Sequence, residues 1–229
     1  MYEVERWKKE AAETAVELVR PGMVLGLGHG STARYALLKI AELLRAGKLW
    51  DIHGVPCSKK VEEEARALGI PLTTLEEHPE LDLTIDGADE IDPELNVIKG
   101  GGGAMLREKI VAQATKREVI VADFGKLSPK LGTKVPVPVE VLPFGWKTHV
   151  RFLEGLGAKV RLRQSSDGSP FLTDQGNYVL DCYFGPIENP GDLAKELSSR
   201  AGILGHGLFL GLVDEAFVAG PEGVRQLRC

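Results

Sequence analysis

Apolar residues at Ala11, Ala12, Ala15, Val16 and Val19 recur at helical spacing and predict a helix over Lys8–Val19, which Arg20-Pro21-Gly22 stops. The apolar run Met23–Leu27 reads as a strand feeding Gly28-His29-Gly30-Ser31-Thr32, and helical periodicity returns from Ala33 to Leu44. A second strand near Ile52–Val55, a helix over Lys59–Leu68 and a short strand near Leu72 follow. Leu81–Ile85 is a strand ending at Asp86, Ala104–Thr115 a helix, and Glu118–Ala122 a strand closed by Asp123-Phe124-Gly125-Lys126. Such alternation implies a parallel sheet, and open sheets of this kind bind ligands beyond the carboxyl ends of their strands.

After Lys126 the pattern changes to LGTKVPVPVEVLP, whose prolines interrupt the alternation and suggest a boundary. Beyond it lie a helix over 145–157 and a strand over Lys159–Arg163. Phe171–Thr173 and Tyr178–Tyr183 read as a hairpin pair around Asp174–Asn177, with a helix over Asp192–Ser199. This mix suggests a small α+β domain. Leu208–Leu212 and Glu215–Ala219 read as two more strands, expected to rejoin the first sheet. No internal repeat is present.

A chain of 229 residues suits one large domain, or one domain with a smaller one inserted. With 43% hydrophobic and 27% charged residues it falls in the ordinary soluble globular class. The net charge of −5 argues against nucleic acid as a partner, because phosphate neutralisation needs clustered Lys and Arg. No run approaches the ~18 apolar residues of a membrane span, and the amino terminus has no apolar leader segment, so no membrane partner and a cytoplasmic location are expected. Cys57, Cys182 and Cys229 are too few and scattered for a disulfide framework or a zinc site, and free thiols are expected.

Three stretches carry candidate chemistry. Gly28-His29-Gly30-Ser31-Thr32, between a strand and a helix, offers backbone N–H groups, two hydroxyls and a positive helix end, which together favour a phosphate. The hydroxyls equally suit plain helix caps. Gly28-x-Gly30-x-x-Ala33 fits a dinucleotide fingerprint, but the acid expected about 20 residues further on is missing from the end of the second strand, where Pro56-Cys57-Ser58 stands. A single phosphate on a small molecule fits better. Asp86-Gly87-Ala88-Asp89 spaces two carboxylates for gripping hydroxyl groups, with Glu90 and Asp92 crowding them, while Asp92-Pro93 also reads as an acidic surface turn. A divalent metal is discounted, since no histidine or further carboxylate stands at ligand spacing. Lys99 precedes Gly100–Gly103, a run that could let a substrate lie against bare backbone. Glu108 follows one turn into the next helix. Taking Leu106 and Ile110 as the core stripe, Glu108 falls on the opposite face, near Met105, Val111 and Ala112. It is then either an ordinary exposed glutamate or a general base whose pKa is raised by apolar flanks and by the charges of Asp86 and Asp89.

Gly28-His-Gly-Ser-Thr-Ala, Asp86-Gly-Ala-Asp-Glu-Ile, Lys99-Gly-Gly-Gly and Arg107-Glu-Lys-Ile, in this order, resemble ribose-5-phosphate isomerase of the type A family. The likeness extends to the Lys8-Lys9 helix, Asp123-x-x-Lys126, Pro136-Val-Pro-Val-Glu140-Val and Thr173-Asp-x-Gly-Asn177, and so spans nearly the whole chain. It implies an α/β fold, with a Rossmann-like, mostly parallel sheet domain interrupted by a smaller α+β, ferredoxin-like domain. The expected division is residues 1–128 with 205–229 for the catalytic domain and 129–204 for the smaller one, involved in oligomerisation.

The resemblance further implies interconversion of ribose 5-phosphate and ribulose 5-phosphate, with no cofactor and no metal, in a homodimer or homotetramer whose partner is a sugar phosphate. Glu108 would be the base that moves a proton between carbons 1 and 2. Asp86 and Asp89 would hold hydroxyls and help open the ring, and Lys99 would stabilise negative charge on oxygen. His29, Gly30, Ser31 and Thr32 would bind the phosphate with Lys126, and less firmly Lys8, for which Lys9 is equally available. Gly87, Ala88, Gly100, Gly101 and Gly102 would offer backbone to the sugar. The family usually has threonine where His29 stands, so an imidazole replaces a hydroxyl, and its charge below about pH 6.5 would tighten phosphate binding. Two other classes compete. A sugar-phosphate sensor lacks room for a helix-turn-helix before Gly28, and in a coenzyme A transferase-like enzyme Glu108 would be a nucleophile.

Overall fold

The computed structural model describes residues 2–228 and divides the chain into two compact units. The first comprises residues up to Ala88, Arg107–Lys126 and Gly211 onward, and the second Asp89–Leu106 with Leu127–Leu210. The second unit therefore takes in Asp89–Leu106, a stretch that the sequence reading leaves with the sheet-bearing domain.

In the first unit, α1 (Tyr2–Val16), β1 (Val24–Leu27), α2 (Ala33–Arg45), β2 (His53–Pro56), α3 (Lys59–Leu68) and β3 (Leu83–Gly87) follow the predicted alternation. The near-strand at Leu72 is only a bridge to Gly54. Later in the chain come α4 (Met105–Gln113), β6 (Glu118–Asp123), β12 (Glu215–Gly220) and β13 (Gly223–Arg228). The six-stranded sheet has the order β13-β12-β6-β3-β1-β2, parallel except for β13, which is antiparallel to β12. Edge strand β13, Gly-Val-Arg-Gln-Leu-Arg, is largely exposed, and its polarity hid it from the apolar pattern.

Side chains alternate across the sheet. Leu25, Leu27, Leu83, Ile85, Val119, Val121, Phe217 and Ala219 point to one face, where Ala11, Ala12 and Ala15 of α1 and Leu37 and Ile40 of α2 complete the core. On the opposite face Val55, Cys57 and Leu81 pack with Val111 of α4. Gly26 lies on that face too, where a Cβ would fall 1.9 Å from Thr84 Oγ1 and 2.8 Å from Val111 Cγ1. The missing side chain therefore sets how closely α4 approaches the sheet.

In the second unit, β4 (Glu90–Ile91), β5 (Val97–Ile98) and β11 (Leu208–Phe209) form a small antiparallel sheet. Leu208–Phe209 thus pairs here and not with the six-stranded sheet. A second sheet is built from β7 (Val137–Val141), α5 (Trp146–Gly155), β8 (Lys159–Leu162), β9 (Tyr178–Tyr183), α6 (Pro190–Ser199) and β10 (Ile203–His206). Its antiparallel order β10-β7-β9-β8 with βαββαβ succession is the ferredoxin-like arrangement. Val137, Val139, Val141, Leu180, Leu153 and Leu197 form its core. Phe171–Thr173 is not a strand. Thr173 N–H instead donates to Asn177 O (2.9 Å), closing a turn.

Strand β7 runs through the proline-rich stretch that reads as a boundary. Pro138 O accepts from Gly207 N–H (2.7 Å), so the side of Pro138 that has no N–H faces β10 just where that pairing ends at His206. From the same strand Glu140, fully buried, accepts from Thr173 Oγ1 and Asn177 Nδ2 (both 2.8 Å) through Oε1. Among the described residues its Oε2 has no hydrogen-bond partner. No helix among the described residues is long and apolar enough to cross a membrane.

Two predictions follow from this packing. Gly26→Ala should cost about 1–3 kcal/mol of unfolding free energy by overpacking, and an unchanged urea midpoint would show that α4 yields without cost. Burial pushes the Glu140 carboxyl above its ordinary range, outweighing the bonds from Asn177 and Thr173, and Asp174 adds to the rise. A raised folded-state pKa makes its contribution complete below the unfolded value and lost as pH rises through the folded one. Glu140→Gln should therefore gain stability relative to wild type as pH rises above about 4.3. A stability difference that does not change with pH would refute this.

Candidate active site

Of the candidate residues in the first unit, His29–Thr32 follow β1 and Asp86–Gly87 end β3, while Glu108 lies on α4 and Lys126 beyond β6. Two strands that run parallel and in register, with β1 residues Gly26 and Leu27 beside Thr84 and Ile85, bring the turn after β1 against Asp86. A Cβ on Gly28 would lie 2.4 Å from both Asp86 Cα and Ile85 O, so only glycine permits the approach. Asp86 Oδ1 then accepts from the N–H groups of His29 (2.9 Å) and Gly87 (2.7 Å). The carboxylate is thereby fixed by backbone that is itself fixed by the sheet.

Thr84, two residues before Asp86 and on the same face, meets Thr115 after α4 at 2.6 Å between hydroxyl oxygens. Glu108, two turns earlier on α4, thereby reaches the same face near Asp86. Ligand atoms of Asp86, Glu108 and Cys57 all lie within 4.8 Å of one another, and all three side chains are buried. The burial stripe of α4 is Met105, Glu108, Val111 and Ala112. The expected stripe is thus corrected, since Ile110 is 47% exposed whereas Glu108 is 4% exposed. A face chosen for apolar residues alone missed the one that carries the acid.

After β1, Arg34 N–H is the first to close a helical bond, to Gly30 O at 3.0 Å. The preceding N–H groups of residues 30–33 belong to the helix end, where such donors have no intrahelical acceptor. Thr32 is buried and makes no side-chain cap, while Ser31 is exposed. This turn lines a cavity of about 210 Å³ that also receives Arg34, Lys60 and Glu64. Arg34 is ion-paired with Glu64. His29 Nδ1 lies 2.9 Å from Ser58 Oγ, which caps α3 by accepting from Val61 N–H (3.1 Å). Lys126 ends the short 3₁₀ turn after β6, half-buried, and Asp123 accepts from Gly125 N–H (3.0 Å) in that turn. Lys8 lies 2.7 Å from Glu5 and holds that carboxyl below its ordinary range, and Tyr35 of α2 also donates to Glu5 (2.9 Å). Lys9 is more exposed and lies 3.9 Å from Glu13.

In the second unit, Asp89 Oδ2 accepts from Gly101 N–H (2.7 Å), tying the acidic loop to the glycine run. Lys99, 2% exposed, places Nζ 5.7 Å from the Phe209 ring centroid, and its N–H donates to Gly207 O (2.9 Å). Gly100 (φ 100) and Gly103 (φ 80) adopt left-handed backbone that a side chain would strain. Gly101 and Gly102 are exposed. Arg163 donates to Gly100 O (2.8 Å) and is itself paired with Asp181.

The family model of ribose 5-phosphate isomerase A (phosphoriboisomerase A) matches residues 53–223. The chain belongs to this family. Ribose-5-phosphate isomerase A of Chloroflexus aurantiacus is 59% identical, covering 96% of this chain and 92% of its own. That of a Synechococcus strain is 51% identical, covering 100% and 99%. A solved D-ribose-5-phosphate isomerase in complex with phospho-erythronic acid superposes with a TM-score of 0.97 at 38% identity, covering 99% of both chains. The isomerase A of Methanocaldococcus jannaschii gives 0.94 at 36% identity, covering 98% and 99%.

Within this isomerase family fold, Asp86, Gly87 and His29–Thr32 lie at strand ends of the first unit, with Glu108 on α4 and Lys126 at the end of the turn after β6, and Asp89, Lys99 and Gly100–Gly102 belong to the second. Ala88, half-buried, is the last residue before the chain crosses from one to the other. All four crowded acids accept from backbone N–H groups. Glu90 accepts from the N–H groups of Gly132 (3.0 Å), Thr133 (3.1 Å), Lys134 (3.1 Å) and Val135 (3.4 Å), and Asp92 accepts from Asn96 N–H (2.8 Å). Sequence reasoning missed Cys57, Arg163, Arg34 and Lys60. Only Cys57 left a signal, its place at the end of an apolar strand. Arg163 becomes relevant through pairing across more than 60 residues of chain.

The His29 imidazole beside Ser58 gives a measurable handle. The KM for ribose 5-phosphate should fall for wild type relative to His29→Thr as pH is lowered from about 8 to 6. Identical responses would remove any electrostatic part for His29.

Proposed function

We propose that this chain interconverts ribose 5-phosphate and ribulose 5-phosphate with Glu108 as the proton-transferring base. The observation that carries the reading is the buried pairing of Glu108 with Asp86 at the strand ends, beside a glycine turn suited to a phosphate. Both conditions expected of a tuned base, burial and a neighbouring carboxylate, are met at Glu108.

The phosphate sits on the N–H groups of Gly30–Thr32 with the Ser31 and Thr32 hydroxyls, and Lys126 adds positive charge. Lys8 is a better candidate than Lys9 for a further cation, because it lies on the side of α1 that meets Tyr35 of α2. Asp86 and Asp89 accept from sugar hydroxyls and assist ring opening, which exposes the aldehyde. Glu108 takes the proton from carbon 2 as the electron pair shifts to the carbonyl oxygen, giving an enediolate. Lys99 stabilises that charge. Transfer of the hydroxyl proton from O2 to O1 and return of the carbon-bound proton from Glu108 to carbon 1 leave the ketose. All electrons move within the sugar, so the step itself requires no redox partner. The backbone of Gly87, Ala88 and Gly100–Gly102 faces the sugar where side chains would block it. The phospho-erythronic acid held by the solved relative, a phosphorylated polyhydroxy acid, belongs to the ligand class this scheme needs. The enzyme acts in the cytoplasm as a homodimer or homotetramer, with the ferredoxin-like unit contributing to assembly.

Ketose formation from ribose 5-phosphate, followed in EDTA, tests the assignment. Glu108→Gln should lose on the order of 10²–10⁴ in kcat while still binding the sugar phosphate. Full activity in that variant would overturn the role of Glu108.

A further inference from the structure

Cys57 has no part in the proton transfer, yet it follows β2 on the face of the sheet that carries Asp86 and Glu108. Its N–H donates to Leu27 O (3.1 Å), continuing the β1–β2 ladder, so the position of the thiol is set by the sheet. One sulfur and two carboxylate oxygens, from three different elements, lie within 4.8 Å of one another. We propose that this trio binds a thiophilic divalent cation, Zn²⁺ or Cd²⁺, and that the bound ion blocks the isomerase.

The chemistry of the donors selects the ion. A thiolate with two oxygens suits zinc and its soft relatives, whereas Mg²⁺ and Ca²⁺ take oxygen ligands only. Zn–S and Zn–O bonds of about 2.3 and 2.1 Å place tetrahedral ligands roughly 3.5 Å apart, so a separation at the 4.8 Å limit needs to close by about 1.3 Å and a shorter one by less. Three protein ligands leave a fourth position for water. The ion replaces the thiol proton, which is released to solvent. A hydrated ion reaches the trio by the route the sugar must use to meet Asp86 and Glu108. Because the ion takes both carboxylates, its inhibition is competitive with the sugar phosphate, and this part rests on the proposed isomerase reading.

Cobalt provides a readout independent of turnover. Titrating chelator-treated enzyme with Co²⁺ should produce a near-ultraviolet sulfur-to-cobalt charge-transfer band that Zn²⁺ displaces. Cys57→Ser should abolish the band, and Glu108→Gln, which keeps the thiol, should weaken Co²⁺ binding at least about tenfold. In the activity assay Zn²⁺ should raise the apparent KM of wild type, EDTA should reverse the effect, Mg²⁺ should have none, and Cys57→Ser should need at least about ten times more Zn²⁺. Absence of the band in wild type, its persistence in Cys57→Ser, or equal zinc sensitivity of both proteins would overturn the site. If the protein turned over no sugar, the cobalt band would still decide the metal site, so the two failures separate.

Discussion

The close approach of β1 and β3 at Gly28 governs the candidate residues of the first unit. With no side chain at that position, the turn after β1 lies directly on Asp86, and two backbone N–H groups meet its carboxylate. Two donors from a fixed backbone thus orient the carboxylate. Gly26, one side-chain alternation earlier, does the corresponding work for α4, which must come close enough for Glu108 to share the face of Asp86. Two absent side chains therefore position two acids.

The acids of residues 86–92 show how one dense run of like charge is accommodated by division of labour. Glu90 accepts from four successive N–H groups and Asp92 closes its own hairpin, so neither is left as an unpaired buried charge. Asp89 grips the glycine run, whose carbonyl side is held by Arg163. The run is flexible by composition but tethered by charged side chains on both sides, a combination that holds bare backbone in one conformation. Buried Glu140 has an analogous role further on, organising the turn from Thr173 to Asn177.

Much of the fold was legible in the chain because the parallel strands are short buried runs separated by helices of clear period. The same physics explains the misses. Polar β13 pairs at an edge where no apolar alternation is demanded, and β7 hides a proline whose missing N–H falls where its neighbour ends. Leu208–Phe209 has the apolarity of a core strand, but pattern alone does not name its partner, which is β5.

For the site, the sequence by itself determined the chemistry on offer: a glycine turn at a strand end, two carboxylates three residues apart, a lysine before four glycines, and a glutamate on a helix. Those features are local, and local spacing encodes them. Only the tertiary structure decided that Glu108 belongs to the buried face while Ile110 faces solvent, because the choice of face depends on what the sheet presents to α4. It alone brought Cys57 beside Asp86 and Glu108 and set which backbone segment each of the crowded acids holds. Such pairings join residues tens of positions apart, and distances across a parallel sheet are set by strand register and close backbone approach, which no single segment of sequence contains.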